Sequence, residues 1–183
     1  MQTIEALTVL QSHLAESLEF DVARNQALEH ITVPLYARRK KGSQEFLFIY
    51  DADTLPSNVE ALKSIHEQGR KYANSFFKLP KAFRLKIPNI LSIFVKSGGL
   101  TEEMKQWAQE PTRTAVGGEF HSVFFIDTEN PSVYGQGISK AFVMTGVAGL
   151  TLDLEFKEID PQNRSHYLVA TLCKALFGGQ EHA

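Results

Sequence analysis

The sequence predicts an α/β fold: a single domain with a mixed, partly parallel sheet flanked by helices, and with antiparallel hairpins at its ends. Two strand–helix–strand units follow one another in the middle of the chain, which indicates a parallel core with right-handed crossovers. Alternating apolar segments near both ends are typical of hairpins. With 183 residues, 43% of them hydrophobic and 22% charged, the chain suffices for one packed domain over residues 1–183.

The first third of the chain is predicted to form a helix and then a hairpin. Apolar residues recur at three- and four-residue steps over residues 4–29, which indicates an amphipathic helix. The alternating residues 31–37 and the apolar residues 46–50 predict two paired strands. Because Pro34 has no amide hydrogen to donate, we expect the first of them at the edge of the sheet. The helix predicted over residues 4–29 could be divided into two at Asp21 or Asn25.

Both strand–helix–strand units have recognisable helix starts. Ser57 and Glu60 have the spacing of a capping box, so the first crossover helix is expected over about residues 58–78. Thr101 is expected to cap a second, shorter helix that ends near Gln109. The apolar strands of these units are residues 46–50, 90–95 and 120–126.

The last third of the chain is predicted to contain a hairpin and a helix. Residues 140–145 and 150–156 are the expected strands, joined by a turn that contains two glycines. Asp160 and Pro161 are residue types that begin helices, so the final helix is expected to start there. The apolar face of this helix is expected to contain Leu168, Leu172 and Leu176.

Composition excludes several classes of protein. A net charge of −2 gives no overall bias toward nucleic acid or membrane. Cys173 is the single cysteine, so neither an internal disulfide nor a cysteine-based zinc site can form. The chain begins without the pattern of a signal peptide and has no apolar run of membrane-spanning length. We therefore expect a soluble cytoplasmic protein with no membrane association.

Polar and charged residues follow all three predicted central strands. Ligands of open parallel sheets bind beyond the carboxyl ends of the strands, so these residues are expected to converge if the strands are neighbours. Oxygen-rich clusters hold Mg²⁺ or Mn²⁺, and the metal then neutralises a phosphate. Lys96 would stabilise charge that develops on that phosphate. The candidate metal ligands are Asp51, Asp53, Asp127 and Glu129.

The segment Asp51-Ala52-Asp53-Thr54 resembles the first motif of haloacid-dehalogenase-type phosphatases. This resemblance implies that Asp51 is a nucleophile and Asp53 an acid–base. It also implies that Ser97 is the hydroxyl of the second motif and Asp127 a metal ligand of the last. The longer segment from Asp51 to Pro56 is similar to the Asp-x-Asp motif of nucleotide-sugar glycosyltransferases, in which the carboxylates hold a metal on the diphosphate.

A simpler interpretation stays open at the same residues. Aspartates are frequent where a chain turns, so Asp51 and Asp53 could merely end a strand. Ser97, Gly98 and Gly99 precede a helix and could cradle an anion, but a plain strand-to-helix turn is the favoured interpretation.

Basic residues are concentrated in two segments, residues 38–41 and residues 70–86. The second segment also contains phenylalanines, and cations mixed with aromatic rings are typical of surfaces that bind single-stranded nucleic acid. The favoured interpretation is that the rings pack in the core while the cations are solvated. The two segments act together only if they share one face of the fold.

Histidines and the cysteine give no recognisable site. The six histidines have no metal-ligand spacing, and isolated residues such as His66 and His121 are expected to be packed or at the surface. Cys173 lies on the apolar side of the final helix and is expected to be a core residue.

The sequence thus favours a non-catalytic regulatory or protein-interaction module, because it contains no complete catalytic set and no cofactor fingerprint. The first alternative is a Mg²⁺- or Mn²⁺-dependent phosphoryl- or nucleotide-processing enzyme that uses Asp51, Asp53 and Asp127. The second is a protein that binds nucleic acid or another anionic polymer through the two basic segments. An unidentified protein is the expected partner, and a homo-oligomer is compatible with the sequence.

Overall fold

Seven strands form one mixed sheet in the part of the chain that the structure describes. The structure is a computed structural model and describes residues 1–39, 44–78, 87–110, 119–135, 138–141 and 164–178. The strands are β1 (Asp21–Ala27), β2 (Thr32–Arg39), β3 (Glu45–Asp51), β4 (Asn89–Lys96), β5 (Phe120–Asp127), β6 (Ser132–Gly135) and β7 (Ile138–Ala141). The helices are α1 (Thr3–Ser12), a π-helical turn (His13–Ser17), α2 (Val59–Ser75), α3 (Glu102–Gln109) and α4 (Arg164–Phe177).

The order of strands in the sheet is their order in the chain. Strands β3, β4 and β5 are parallel, and the remaining neighbours pair antiparallel. Helices α2 and α3 are the crossovers of the parallel part and cover one face, while α1 and α4 cover the other. The predicted α/β class, with a mixed sheet between helices, is confirmed.

Helices on both faces explain why the central strands are continuously apolar. In β4, Leu91 and Ile93 pack toward α1 and α4, whereas Ile90 and Phe94 pack toward α2 and α3. These side chains are fully buried. Each such burial contributes roughly 1.5–3 kcal/mol of hydrophobic free energy, so the sheet is held from both faces.

Aromatic side chains fill the space between α2 and the first strands. Tyr36 and Phe48 contact the Tyr72 ring nearly edge-on, with centroids 5.6 and 6.1 Å away. Edge-to-face pairs of this kind are favourable beyond the area that they bury. The cluster continues toward the end of α2, and its members are Tyr36, Phe46, Phe48, Tyr72, Phe76 and Phe77.

The expectation of a helix over residues 4–29 is wrong beyond the π-helical turn. Helix α1 ends at Ser12, Glu19 has a positive φ of 56°, and residues Asp21–Ala27 form strand β1 instead. Pairing with β2 satisfies the backbone of this segment, and such tertiary hydrogen bonding overrides a local helical pattern.

The expected edge position of β2 is also wrong, because β1 pairs with it. Arg24 pairs with Leu35 and Gln26 with Val33, so Asn25 lies opposite Pro34. Asn25 has a φ of 53° there. The ladder is thus interrupted at the one position where Pro34 cannot donate, which is how an interior strand accommodates a proline.

Both crossover helices begin close to the expected residues. The N-cap of α2 is Asn58, whose Oδ1 accepts from the Ala61 amide at 2.8 Å, so the capping box expected at Ser57 is one residue out of place. The Thr101 cap of α3 is confirmed, since its Oγ1 accepts from the Met104 amide at 3.2 Å.

The C-terminal region is described only in part. Strands β6 and β7 form a short hairpin that the sequence did not indicate, and β7 overlaps the expected strand 140–145 at two residues. The expected strand 150–156 and the helix start at Asp160 lie outside the described residues. Helix α4 buries its leucines as expected. It also buries Cys173 completely, and burial raises the pKa of that thiol to about 12.

Within the described residues, no helix is long and apolar enough to cross a membrane.

Candidate functional site

The carboxyl ends of β3, β4 and β5 lie side by side, as the acid-cluster hypothesis requires. Asp51 is in register with Val95, and Lys96 is in register with Asp127. Backbone hydrogen bonds extend past the strands, because the Thr128 amide donates to the Lys96 carbonyl at 2.8 Å. The polar residues that follow the three strands are therefore neighbours.

Asp53 accepts hydrogen bonds from two separate parts of the chain. Its carboxylate accepts from the Ser97 hydroxyl at 2.7 Å and from the Ser97 amide at 3.1 Å. Lys96 Nζ lies 3.1 Å from the other oxygen. The Thr3 hydroxyl, at the start of α1, donates at 2.6 Å. Asp53 thus ties the first helix to the loop after β4.

These contacts fix the protonation state of Asp53. Desolvation raises its pKa, but hydrogen bonds from Thr3, Ser97 and Lys96 outweigh this effect and lower the pKa to about 2. A carboxyl group with this pKa is ionised at neutral pH and is a poor proton donor. The acid–base role that the phosphatase resemblance implies for Asp53 therefore has no support here.

Asp127 is buried and holds the turn that follows β5. Its Oδ1 accepts from the amides of Glu129 and Asn130, each at 2.9 Å, and from the Gly98 amide at 3.1 Å. Gly98 has a φ of 80°, and a Cβ at this position would collide with the Glu129 carboxylate. The loops after β4 and β5 are therefore joined through one carboxylate oxygen.

Asp51 is partly exposed and forms a turn. Its Oδ1 accepts from the Asp53 amide at 3.1 Å, and its carbonyl accepts from the Thr54 hydroxyl at 2.8 Å. This geometry is an Asx-type turn, in agreement with the simpler interpretation of the motif. Thr54 continues that turn.

The four candidate metal ligands do not meet at one point. Among the described residues, no three His, Cys, Asp or Glu side chains form a group that could hold a metal ion. Asp53 faces Ser97, whereas Asp127 and Glu129 face Gly98. The metal site therefore stays a hypothesis that this arrangement of side chains does not strengthen.

The candidate anion cradle is engaged by the protein's own carboxylates. The Ser97 amide donates to Asp53 and the Gly98 amide to Asp127, while Gly99 has a φ of 69° and turns the chain toward α3. In this structure the carboxylates that these amides contact are those of Asp53 and Asp127, and binding of an external anion stays a hypothesis.

A buried polar chain, which the sequence interpretation missed, lies between α2 and the central strands. His66 Nδ1 is 2.7 Å from Ser92 Oγ, and His66 Nε2 is 3.1 Å from His121 Nδ1. Desolvation, followed by the electrostatic effects of His121 and Arg70, lowers the pKa of His66 to about 3. His66 is therefore neutral at physiological pH.

A buried ion pair adjoins this chain. The Glu119 side chain is inaccessible to solvent, and it accepts from Arg70 Nε at 2.9 Å and from Asn74 Nδ2 at 2.5 Å. Arg70 also pairs with Glu67. Arg70 lies in the basic segment 70–86, but it is paired with two carboxylates of the protein itself, Glu67 and Glu119.

Two features of the sequence could have revealed the buried chain. Ser92 is the one polar residue within the apolar stretch of β4, where helices cover both faces. His66 lies on the same side of α2 as Leu62 and Gly69, which are buried. A polar residue on an otherwise apolar face needs a partner, and here the partners are one another.

The two basic segments meet at the opposite end of the sheet. The Arg38 guanidinium at the end of β2 lies 4.2 Å from the centroid of the Phe76 ring, just past the end of α2. It also lies 5.0 Å from the Phe46 ring. Phe76 is 42% exposed, and Lys78 is exposed two residues later. We call Arg38, Phe76 and Lys78 the basic–aromatic surface.

Other basic residues of these segments do not all belong to this surface. Arg39 points to the opposite face, where its guanidinium lies 4.5 Å from the Phe20 ring and its Nε 3.0 Å from Glu45. Asp21 is opposite Arg38 in the β1–β2 register, so one carboxylate also lies at this end of the sheet. Residues 40, 41 and 79–86 lie outside the described residues.

Comparison of the chain with protein-family models, with curated proteins and with solved structures finds no match in any of the three.

Proposed function

We propose that this protein is a non-catalytic binding module that recognises an acidic macromolecule through the basic–aromatic surface. The observation that carries the proposal is the contact between Arg38 and Phe76, because it joins the two basic segments at one end of the fold. Cationic and aromatic groups that are far apart in sequence thereby form one surface. A cytoplasmic location stays part of the proposal.

The position of Arg38 favours binding. Its guanidinium rests against two rings, those of Phe46 and Phe76, and Nη2 is 3.4 Å from Gln44 Oε1. Cation–π contacts hold the side chain without neutralising its charge. An arginine that is already ordered loses less conformational entropy on binding a phosphate or carboxylate.

The opposite end of the sheet supports the non-catalytic part of the proposal. Asp53 and Asp127 are both occupied by hydrogen bonds from neighbouring loops, and Lys96 is paired with Asp53. Carboxylates that are used in this way stabilise the loops. These hydrogen bonds account for both carboxylates without a catalytic role.

Heparin, a polyanion without bases, tests this proposal. We expect the wild type to bind heparin at low salt, with an affinity that falls steeply as salt rises. Arg38→Gln and Lys78→Gln should each weaken binding roughly fivefold, which corresponds to about 1 kcal/mol for an exposed ion pair. Titration calorimetry over a series of salt concentrations measures both effects.

Lys63→Gln is the matched control for these two variants. It also removes one positive charge, but at a different place, near the start of α2, where Lys63 pairs with Glu60. Its heparin affinity should equal that of the wild type. Equal weakening by all three substitutions would show that only net charge matters, and it would contradict a defined surface.

A Mg²⁺-dependent phosphoryl- or nucleotide-processing enzyme is the second candidate. It is favoured by the register that puts Asp51, Lys96 and Asp127 on adjacent strand ends. In this candidate Asp51 is nucleophile or ligand, and Lys96 stabilises phosphate charge.

Calorimetric titration with Mg²⁺ and with Mn²⁺ separates the two candidates. Because the candidate ligands point to different loops, we expect the wild type and Asp51→Asn to give the same small, non-saturating heats. Saturable binding by the wild type that disappears in Asp51→Asn would instead favour the enzyme, and it would justify a screen of phosphate esters.

A further inference from the structure

Phe76 combines exposure with a fixed orientation. The residue is 42% exposed, although its ring packs nearly edge-on to Tyr72 at 5.3 Å and at a tilt to Phe46 at 5.6 Å. Burying the exposed part of a large aromatic ring is favourable. A ring that is both exposed and held by its neighbours can accept a flat partner without first being ordered.

One cation lies against this ring, and a second follows it closely in the chain. Arg38 lies against Phe76, and Lys78 follows Phe76 by two residues and is exposed. A nucleotide has a flat base within a few ångströms of a phosphate. The base can therefore stack on the ring while the phosphate pairs with a cation. An acidic peptide would pair with the two cations, but in general it has no flat group to stack on the ring.

We infer that the basic–aromatic surface binds single-stranded nucleic acid, with a base stacked on Phe76 and phosphates paired with Arg38 and Lys78. This inference rests on the proposed function and names the class of its partner. Duplexes are disfavoured because each base face is already covered by its neighbours in the stack, so the ring gains little. The contacts carry no hydrogen-bond code for a base, so sequence preference is expected to be weak.

Fluorescence anisotropy with a labelled 20-nucleotide strand of mixed sequence tests the inference. The same strand annealed to its complement is the duplex probe, and heparin is the polyanion without bases. At one salt concentration we expect the wild type to bind the single strand at least fivefold more tightly than the duplex. This margin corresponds to the lower end of the stacking energy of one base, about 1 kcal/mol.

Two substitutions of Phe76 isolate the ring. Phe76→Leu keeps an apolar group against Arg38 but removes the aromatic face, so single-strand affinity should fall about five- to tenfold while heparin affinity is unchanged. Phe76→Tyr keeps the face and should bind the single strand as the wild type does. Thermal unfolding of each variant shows whether it is folded.

Each outcome separates the inference from the proposed function. Equal affinity for single strand and duplex, or no effect of Phe76→Leu, overturns the inference, yet heparin binding that depends on Arg38 would leave the proposed function intact. Equal losses for single strand and heparin in Phe76→Leu also overturn it, because the ring would then act only by positioning Arg38. Absence of binding to all three probes contradicts both.

Discussion

Replacing Asp127 with alanine is expected to lower the free energy of unfolding by about 2–4 kcal/mol, whereas Asp127→Asn is expected to cost less than about 1 kcal/mol. One oxygen, Oδ1, accepts all three amide hydrogen bonds, from Gly98, Glu129 and Asn130. Asparagine keeps a carbonyl oxygen at this position, and alanine does not. The Gly98 amide is buried, so losing its acceptor carries a desolvation penalty, while the other two are closer to solvent. Urea unfolding measures both variants.

Asp51→Asn is the control for this comparison, because Asp51 is partly exposed and its Oδ1 accepts a single amide, that of Asp53, in a turn. Its unfolding free energy should remain within about 0.5 kcal/mol of the wild type. If Asp127→Asn instead destabilises the protein as much as Asp127→Ala, the negative charge itself is required. That result would reopen a role for Asp127 as a ligand of a cation.

The carboxyl end of the sheet shows why a strand-end acid motif alone is an ambiguous indicator of catalysis. Each loop after a parallel strand leaves amides that no strand partner satisfies, and a carboxylate from the neighbouring loop can satisfy them. Asp53 does so for Ser97, and Asp127 does so for Gly98. Residue types that predict a metal site are thus the same ones that stabilise adjoining loops. Only the direction of each carboxylate distinguishes the two roles.

The sequence predicts the strands and crossover helices that lead to these strand ends, because they depend on local features, but it does not establish which strands are neighbours. Each crossover contains a helix between two apolar strands, and strand–helix–strand units of this kind favour parallel strands with right-handed crossovers. The structure puts Lys96 in register with Asp127, which is the adjacency on which the acid-cluster hypothesis depends. The antiparallel pairing of β2 with β3 is likewise predicted from local features, the alternating and apolar residues of the two segments.

Other features depend on contacts between distant residues, which periodicity does not reveal. Thr3 reaches Asp53 only because α1 packs across the sheet. His66 meets His121 only after α2 has been placed over β4 and β5. The assignment of residues 21–27 to a helix failed for the same reason, since the pairing with β2 decides their conformation. The meeting of Arg38 with Phe76 is of this kind too.

Lowering the pH from 6.5 to 5 is expected to reduce the free energy of unfolding of the wild type by roughly 1.5 kcal/mol more than that of His66→Asn. The folded pKa of His66 is about 3, below the ordinary value of 6.5. Between these values the unfolded chain binds a proton that the folded chain excludes, so stability falls as pH falls. Urea unfolding at pH 7, 6.5, 6, 5.5 and 5 measures how the free energy of unfolding changes with pH in the wild type and in His66→Asn.

The groups that face His66 explain why it resists protonation in the folded state. Ser92 and His121 occupy its two ring nitrogens, the Trp107 ring lies 6.3 Å away, and the charge of Arg70 outweighs that of Glu119. A second proton on the ring would therefore be buried beside a cation and would need Ser92 and His121 to act as acceptors.

His30→Asn is the control for the pH series, because the His30 side chain is 73% exposed and is solvated in both the folded and the unfolded chain. It should leave the pH dependence of the wild type unchanged. Parallel pH profiles for the wild type and His66→Asn would show that the folded protein does protonate His66. In that event the Glu119 carboxylate, which acts in the opposite direction from Arg70, would have to dominate the field at the ring.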